Sequence, residues 1–152
     1  MQFDTEIGTL TLGYAESKLR CEFGTFIVDK EPPKTLVKEL DLYLLGNRIE
    51  RFSIDTPYAS PFFYKCWEAC RSIPYGETIS YQELATRAGS PKAMRAAGQS
   101  MRRNPIAILT PCHRVIAASG ALHGYSGTTS LESQELGRKQ FLLQLERATI
   151  QA

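Results

Sequence analysis

The chain has 152 residues, of which 43% are apolar and 22% charged. That balance suits one compact globular unit or two small ones and excludes a disordered tail. Eighteen lysines and arginines stand against 16 acids, a net charge of +2. This excludes a polybasic protein that grips nucleic acid by bulk charge, but leaves a local basic face open. No apolar run approaches a bilayer span, Ile106-Ala107-Ile108-Leu109 being about the longest, and the start MQFDTEIGTL lacks the form of a secretory signal. Cys21, Cys66, Cys70 and Cys112 are too few for a disulfide framework, and Cys66 and Cys70 lack the partners of a zinc site. The expectation is an intracellular protein with reduced thiols and no contact with a membrane.

In chain order, Leu10, Leu12 and Tyr14 alternate with Thr9, Thr11 and Gly13. Leu19, Cys21 and Phe23 resume the period of two after a short polar stretch, which predicts a hairpin with one buried face. Beyond Pro32-Pro33, Leu36, Leu40, Tyr43 and Leu44 fall at helical spacing, with Gly46 placed to end the helix. Phe52 and Ile54 suggest one more short strand, and Asp55-Thr56-Pro57 marks a domain boundary.

The second part reads as helices. Phe63, Cys66, Trp67 and Cys70 form an amphipathic stripe that stops before Pro74-Tyr75-Gly76, and both cysteines read as core. Ser80-Tyr81-Gln82-Glu83 has the form of a capping box opening a short helix that Gly89 ends. Ser90-Pro91 has the form of a restart, giving a helix to about Arg103 that Asn104-Pro105 stops. Two short helices joined at a glycine are the signature of a helix-turn-helix. On the second helix Lys92, Arg95, Gln99 and Arg102 share a face, with Ala93, Ala96, Ala97, Gly98 and Ser100 between them. A basic stripe among small residues suits close approach to a phosphate backbone, although an ordinary solvated face has the same composition.

Pro111-Cys112-His113-Arg114-Val115 follows. A thiol with a pKa of about 8.5 is only slightly ionised at neutral pH, so a nucleophilic cysteine needs a base or a positive field. His113 and Arg114 are candidates for both. In extended backbone, adjacent side chains point apart, so His113 would reach Cys112 only around a bend or through a water. The pentapeptide alone also admits a buried cysteine beside an incidental histidine.

Tyr81, Arg95-Ala96-Ala97-Gly98, Asn104-Pro105, Pro111-Cys112-His113-Arg114-Val115, Ser119-Gly120 and Gly124-Tyr125-Ser126-Gly127 occur in that order. From about Pro61 to Glu146 the chain resembles the O6-alkylguanine-DNA alkyltransferase family, also called methylated-DNA–protein-cysteine methyltransferases. The resemblance implies an α+β fold. A small antiparallel sheet and helix, a ribonuclease H-like domain over residues 1–56, precede a mostly helical DNA-binding and alkyl-acceptor domain over 57–152. It further implies stoichiometric transfer of an alkyl group from O6-alkylguanine, and from O4-alkylthymine, in double-stranded DNA to the protein's own thiolate.

On these positions Cys112 becomes the acceptor, His113 its water-linked base, and Glu146 the glutamate that orients the histidine. Tyr81 is the tyrosine that rotates the phosphate and protonates the leaving purine. Arg95 is the finger that fills the space of the flipped nucleotide, on a minor-groove helix carrying Lys92, Ala96, Gln99 and Arg102. The Cys112 and Val115 carbonyls line the base pocket with Tyr125 and Ser126, and Asn104 braces the hinge that holds the cysteine strand. No cofactor and no metal are expected, and the protein is expected to act as a monomer in the cytoplasm, or in the nucleus of a eukaryote.

One departure is a longer connection over Thr128–Glu135, which touches the register that assigns Glu146. The rival reading is an alkyltransferase-like protein that binds damaged DNA without transfer. Such proteins carry tryptophan in place of Cys112. A DNA-binding regulator and a cysteine hydrolase are further alternatives.

Overall fold

The computed structural model describes residues 1–119 and 130–151. Strands β1 (Gln2–Thr5), β2 (Gly8–Ala15) and β3 (Lys18–Phe23) form an antiparallel sheet in sequence order. In the β2–β3 hairpin Ala15 pairs with Lys18, leaving Glu16 and Ser17 as a two-residue loop. Both have positive φ, 52° and 67°, the left-handed twist that tight hairpins require. The Asp29 carboxylate accepts from the Glu16 amide at 2.9 Å and steadies that loop.

The sheet is covered more fully than its alternation predicts. Leu10, Leu12 and Cys21 are buried as expected, but so is Thr11 on the other face, with its hydroxyl donated to the Gly24 carbonyl. Val28 lies across Gly13, 2.5 Å from where a Cβ would sit, so the returning chain needs glycine there. Strand β1 carries too little alternation to be read in advance. Only Phe3 turns inward from it, opposite Leu10.

Helix α1 (Lys34–Leu44) buries Leu36, Leu40 and Tyr43, and ends at Gly46 with φ 94°. The strand expected at Phe52 and Ile54 does not form. The carbonyls of both residues accept from the Arg71 guanidinium at 3.0 and 2.6 Å, so a side chain takes the place of a neighbouring strand. Helix α2 (Pro61–Arg71) starts with Pro61 at its first turn and the Ser60 hydroxyl capping the Phe63 amide, and it buries Cys66, Trp67 and Cys70.

A two-residue strand β4 (Ile79–Ser80) leads into α3 (Tyr81–Arg87). Ser80 caps the Glu83 amide as expected, but the Glu83 carboxylate pairs with Arg87 one turn on, so the box closes on one side only. Gly89, with φ 89°, ends α3. Helix α4 (Met94–Arg102) begins later than the Ser90-Pro91 restart suggests. The Ser90 carbonyl closes a turn on the Ala93 amide at 2.9 Å, and Lys92 therefore lies in that turn rather than on the helix. The Trp67 indole N–H, donated to the Ser100 carbonyl at 2.9 Å, locks α2 against α4.

After α4, one turn of 3-10 helix covers Cys112–Arg114, and β5 (Val115–Ile116) pairs in parallel with β4. Helix α5 (Ser130–Gln151) completes the fold. Residues 130–135 are thus the start of that helix rather than part of a connection; the stretch holds no glycine or proline to prevent it. No helix among the described residues is long and apolar enough to cross a membrane.

Two apolar clusters result. One joins Leu10, Leu12, Leu36 and Leu40 to Ile106, Ile108, Leu109 and Leu142. The other joins Cys66, Trp67, Cys70, Leu84 and Ala97 to Val115. The segment 106–115 serves both, and is tied to β3 where the Cys21 amide and carbonyl meet the Pro105 carbonyl and Ala107 amide. The architecture is α+β, with the helix pair α3 and α4 packed into the second cluster.

Arg71 is 3% exposed and donates to Thr56 as well as to Phe52 and Ile54. Arg71→Ala strands these acceptors and is expected to lower unfolding free energy by about 2–4 kcal/mol. Exposed Arg51→Ala should change it by less than about 1 kcal/mol. Urea titration of both variants checks the contrast.

Candidate active site

The site begins with a turn. Asn104 accepts from the Ile106 amide through its side-chain oxygen and donates to the Thr110 carbonyl at 2.7 Å, clamping both ends of Ile106–Thr110. Inside the clamp Ile108 adopts φ 72°, a left-handed conformation that a β-branched residue avoids. Packing of Ile108 and Leu109 into the first cluster holds the strained turn in place.

Cys112, His113 and Arg114 are not extended. The Cys112 amide donates to the Thr110 carbonyl and the Arg114 amide to the Pro111 carbonyl, winding the three residues into a single 3-10 turn. From Ile108 to Val115 every residue is buried except Cys112, which remains half-buried. The turn sends the neighbouring side chains inward and leaves Cys112 the half-buried member of the run.

His113, 4% exposed, places Nε2 2.6 Å from Oε2 of Glu146. Glu146 is fully buried, although its place on an amphipathic helix suggests a solvent-facing residue. Oε1 accepts from Arg114 Nε and from the Gly76 amide, both at 2.9 Å. Oε2 accepts from His113, from Arg114 Nη2 at 3.0 Å and from the Tyr43 hydroxyl at 2.6 Å. Burial alone would raise this carboxyl, but the His113 and Arg114 contacts hold it well below the usual range.

An ionised carboxylate only accepts, so the His113 proton sits on Nε2 and Nδ1 carries the bare lone pair. Nδ1 is buried and has no hydrogen-bond partner among the described residues. Burial pushes the imidazole below its ordinary value, against the pull of Glu146. Burial also pushes the Cys112 thiol up, and the Asn104 hydrogen bond and the Lys139 charge only partly offset it. The resting pair is therefore a neutral thiol and a neutral imidazole.

Tyr81, the first residue of α3, is brought beside the acceptor segment by the β4–β5 pairing, Ile79 opposite Val115. Lys139 of α5 donates to the Val115 carbonyl at 2.6 Å, and its ammonium lies 5.7 Å from the Tyr81 ring. Sequence reasoning missed Lys139 and Tyr43. Lys139 stands seven residues before Glu146, two helical turns along one face, and that spacing is the one signal that could have found it.

Arg95, Gln99 and Arg102 are exposed on α4, Ala96 is half-buried and Ala97 buried. Lys92 is exposed in the preceding turn, off the helical face it was expected to share. Gly98 faces the Tyr81 ring, its Cβ position 3.9 Å away. Tyr125 and Ser126 lie outside the described residues, as do Gly120, Gly124 and Gly127.

Because Glu146 has a depressed folded value, its contribution to stability is complete above its ordinary carboxyl value, near pH 4.3, and is lost progressively below it as pH falls through the depressed folded value. Glu146→Gln leaves Arg114 buried without its carboxylate. It is expected to lower stability at neutral pH by about 3–5 kcal/mol and to flatten the decline below about pH 4.3. Denaturant unfolding across that range checks both.

Residues 61–148 match the family model described as the 6-O-methylguanine DNA methyltransferase, DNA binding domain. A methylated-DNA–protein-cysteine methyltransferase of Mycobacterium leprae is 47% identical over 112 residues, 73% of this chain and 63% of that protein. The chain thus spans just under two thirds of that relative. A second, from Mycolicibacterium paratuberculosis, is 42% identical over 155 aligned residues, 95% of this chain and 89% of that protein. Among solved structures, Mycobacterium tuberculosis OGT in complex with DNA superposes with a TM-score of 0.77 at 37% identity, covering 97% of this chain and 92% of that one. The chain belongs to the 6-O-methylguanine DNA methyltransferase family and carries that family's DNA-binding domain.

Proposed function

We propose that the chain repairs DNA by moving the alkyl group of O6-alkylguanine onto Sγ of Cys112, once per molecule. The observation that carries this reading is a half-buried cysteine in an otherwise buried run, next to a histidine with one ring nitrogen unpartnered among the described residues and the other anchored. The names of the relatives agree with it. Cys112 itself speaks against a binder that lacks the acceptor.

In the proposed reaction the thiol proton passes through a water to Nδ1 of His113 as Sγ attacks the alkyl carbon. A carbon–sulfur bond forms, the carbon–O6 bond breaks, and its electron pair stays with the purine. Glu146 and Arg114 hold the resulting imidazolium in place. Tyr81, whose hydroxyl burial keeps protonated, donates a proton to the departing guanine, and the histidine proton restores the phenol through solvent. The products are guanine and an S-alkylcysteine. Asn104 and the strained Ile108 turn fix the sulfur against the base pocket, where the Val115 carbonyl is one acceptor. O4-alkylthymine carries an equivalent alkyl oxygen and is the second substrate.

The base must first leave the duplex, at a cost of a few kcal/mol. Arg95 on the exposed face of α4 enters the space it leaves, with Gln99 and Arg102 along the same face and Lys92 from the preceding turn. The half-buried Ala96 lets the helix seat closely in the minor groove. The protein acts as a monomer and needs no cofactor, since the cysteine is the reagent.

Mixed with an oligonucleotide containing O6-methylguanine, the intact protein should gain the mass of one CH2, located on Cys112 and absent in Cys112→Ser. Affinity without a mass change would overturn the reading. Arg95→Ala should slow repair of duplex by about 10-fold or more, one order of magnitude for each 1.4 kcal/mol of lost extrusion energy. Its reaction with a free alkylated base should be nearly unchanged. The low basicity of buried His113 puts the acid limb of the rate below the ordinary imidazole value of about 6.5. Single-turnover rates across pH test that limb.

A further inference from the structure

Tyr43 belongs to α1, 70 residues before His113 and 103 before Glu146, in the part of the chain with no motif of the reaction. Its side chain is fully buried. The ring is wedged against Phe52 at 5.8 Å and edge-on to Tyr75 at 6.0 Å, so the hydroxyl has little freedom. That hydroxyl donates to Oε2 of Glu146 at 2.6 Å and lies 3.4 Å from Nε2 of His113. Since the Nε2 proton goes to Glu146, the phenol and the imidazole are two donors converging on one oxygen.

We infer that Tyr43 is a positioning residue of the site, through which the N-terminal unit holds the Glu146–His113 pair in register and sets how readily the histidine takes a proton. The role rests on the proposed reaction for its consequence, but not for its geometry. A packing role alone would need only the ring, and a phenylalanine would supply it. The hydroxyl is a polar group brought into the interior, and it is spent on the oxygen that His113 uses.

The direction follows from charge sharing. Each donor on Oε2 draws off negative charge that would otherwise stabilise an imidazolium, so removing the phenol strengthens the pull of Glu146 on the His113 proton. His113 also faces Lys139 from α5 and Arg114 beside it, and both oppose protonation. Glu146 faces Arg114, Tyr75 and the Gly76 amide in addition. Among these groups Tyr43 alone contacts both members of the pair and belongs to the N-terminal unit.

The test is the histidine ring titration by nitrogen-15 NMR in the full chain, alongside the pH dependence of methyl transfer from an O6-methylguanine oligonucleotide. Tyr43→Phe should raise the His113 midpoint by about half a unit to one unit, the range one hydrogen bond to a charged group commands. The acid limb of transfer should move up in pH by the same amount, with little loss near pH 8. Replacing Tyr43 with 3-fluorotyrosine, a stronger donor of nearly equal size, should move the midpoint down. This second variant decides the matter if Tyr43→Phe does not fold. Phe52→Leu loosens the ring's packing without touching the hydroxyl and should lower stability while leaving the midpoint in place. An unmoved midpoint in Tyr43→Phe, or an equal shift in Phe52→Leu, overturns the inference. Absence of methyl transfer in the unaltered protein would overturn the proposed function, while the ring titration would still judge Tyr43.

Discussion

A carboxylate with no exposure is the constraint around which this structure closes. Taking a charged group out of water costs several kcal/mol, and the interior repays that only when every lone pair is met. Glu146 meets five donors: His113, two nitrogens of Arg114, the Gly76 amide and Tyr43. They arrive from the 3-10 turn, the chain after α2, and α1, while the carboxylate comes from α5. None of these elements can shift by much more than an ångström without stranding a buried charge. Arg114 adds a second tie, donating Nη1 to the Ile73 carbonyl at 2.8 Å. The interaction that gives His113 its orientation is therefore also one that the fold cannot surrender, and the geometry of the pair is protected by folding stability.

Cys112, the proposed acceptor, obeys the opposite rule. Cys21, Cys66 and Cys70 are sealed in the two clusters, where burial raises their thiols and removes them from attack. Cys112 also feels burial, yet it is only half-buried, and Asn104 and Lys139 act against the burial. A thiol that stayed ionised would meet any soft electrophile in the cell. One that ionises only as Nδ1 takes its proton stays quiet until a substrate is seated. If each molecule is spent in the proposed reaction, that restraint matters more than speed. The strain in the Ile108 turn serves the same end, since a sulfur held by a clamped and packed loop does not search for its geometry.

Much of this frame was legible in the sequence, because hydrophobic period and punctuation are local signals. The hairpin, α1, α2 and the Gly89 break follow from spacing alone. Failures occurred where a distant partner decided the outcome. Phe52 and Ile54 alternate as a strand would, but Arg71, 17 or more residues away, claimed their carbonyls. Ser90-Pro91 has the form of a helix start, but a single turn to Ala93 intervened and moved Lys92 off the helix. Cys112-His113 was read on extended backbone, and the 3-10 turn that separates their environments leaves no mark in five residues. Glu146 could be located only through resemblance to a family, since nothing near Leu145 or Arg147 announces a buried charge. Tyr43 read as core from its spacing, which was right for the ring and silent about the hydroxyl. Periodicity assigns faces; it does not assign the atoms at the end of a side chain.

The small net charge has a place in the same logic. Under the proposed function, scanning intact duplex gains little from strong nonspecific grip, and a few exposed cations serve the contact face: Arg95 and Arg102 on α4 and Lys92 in the turn before it. What joins that face to the chemistry is Tyr81. Its ring faces Gly98 on α4 and lies 5.7 Å from the Lys139 ammonium, which in turn holds the Val115 carbonyl next to the acceptor segment. A Cβ at position 98 would meet the ring at ordinary van der Waals distance, so only a side chain longer than alanine's would crowd it. In the proposed reaction the same ring must turn the phosphate outside and protonate the purine inside. In that reaction the groove-facing helix and the alkyl-accepting sulfur would share one aromatic contact, so seating of the helix would be felt at the site.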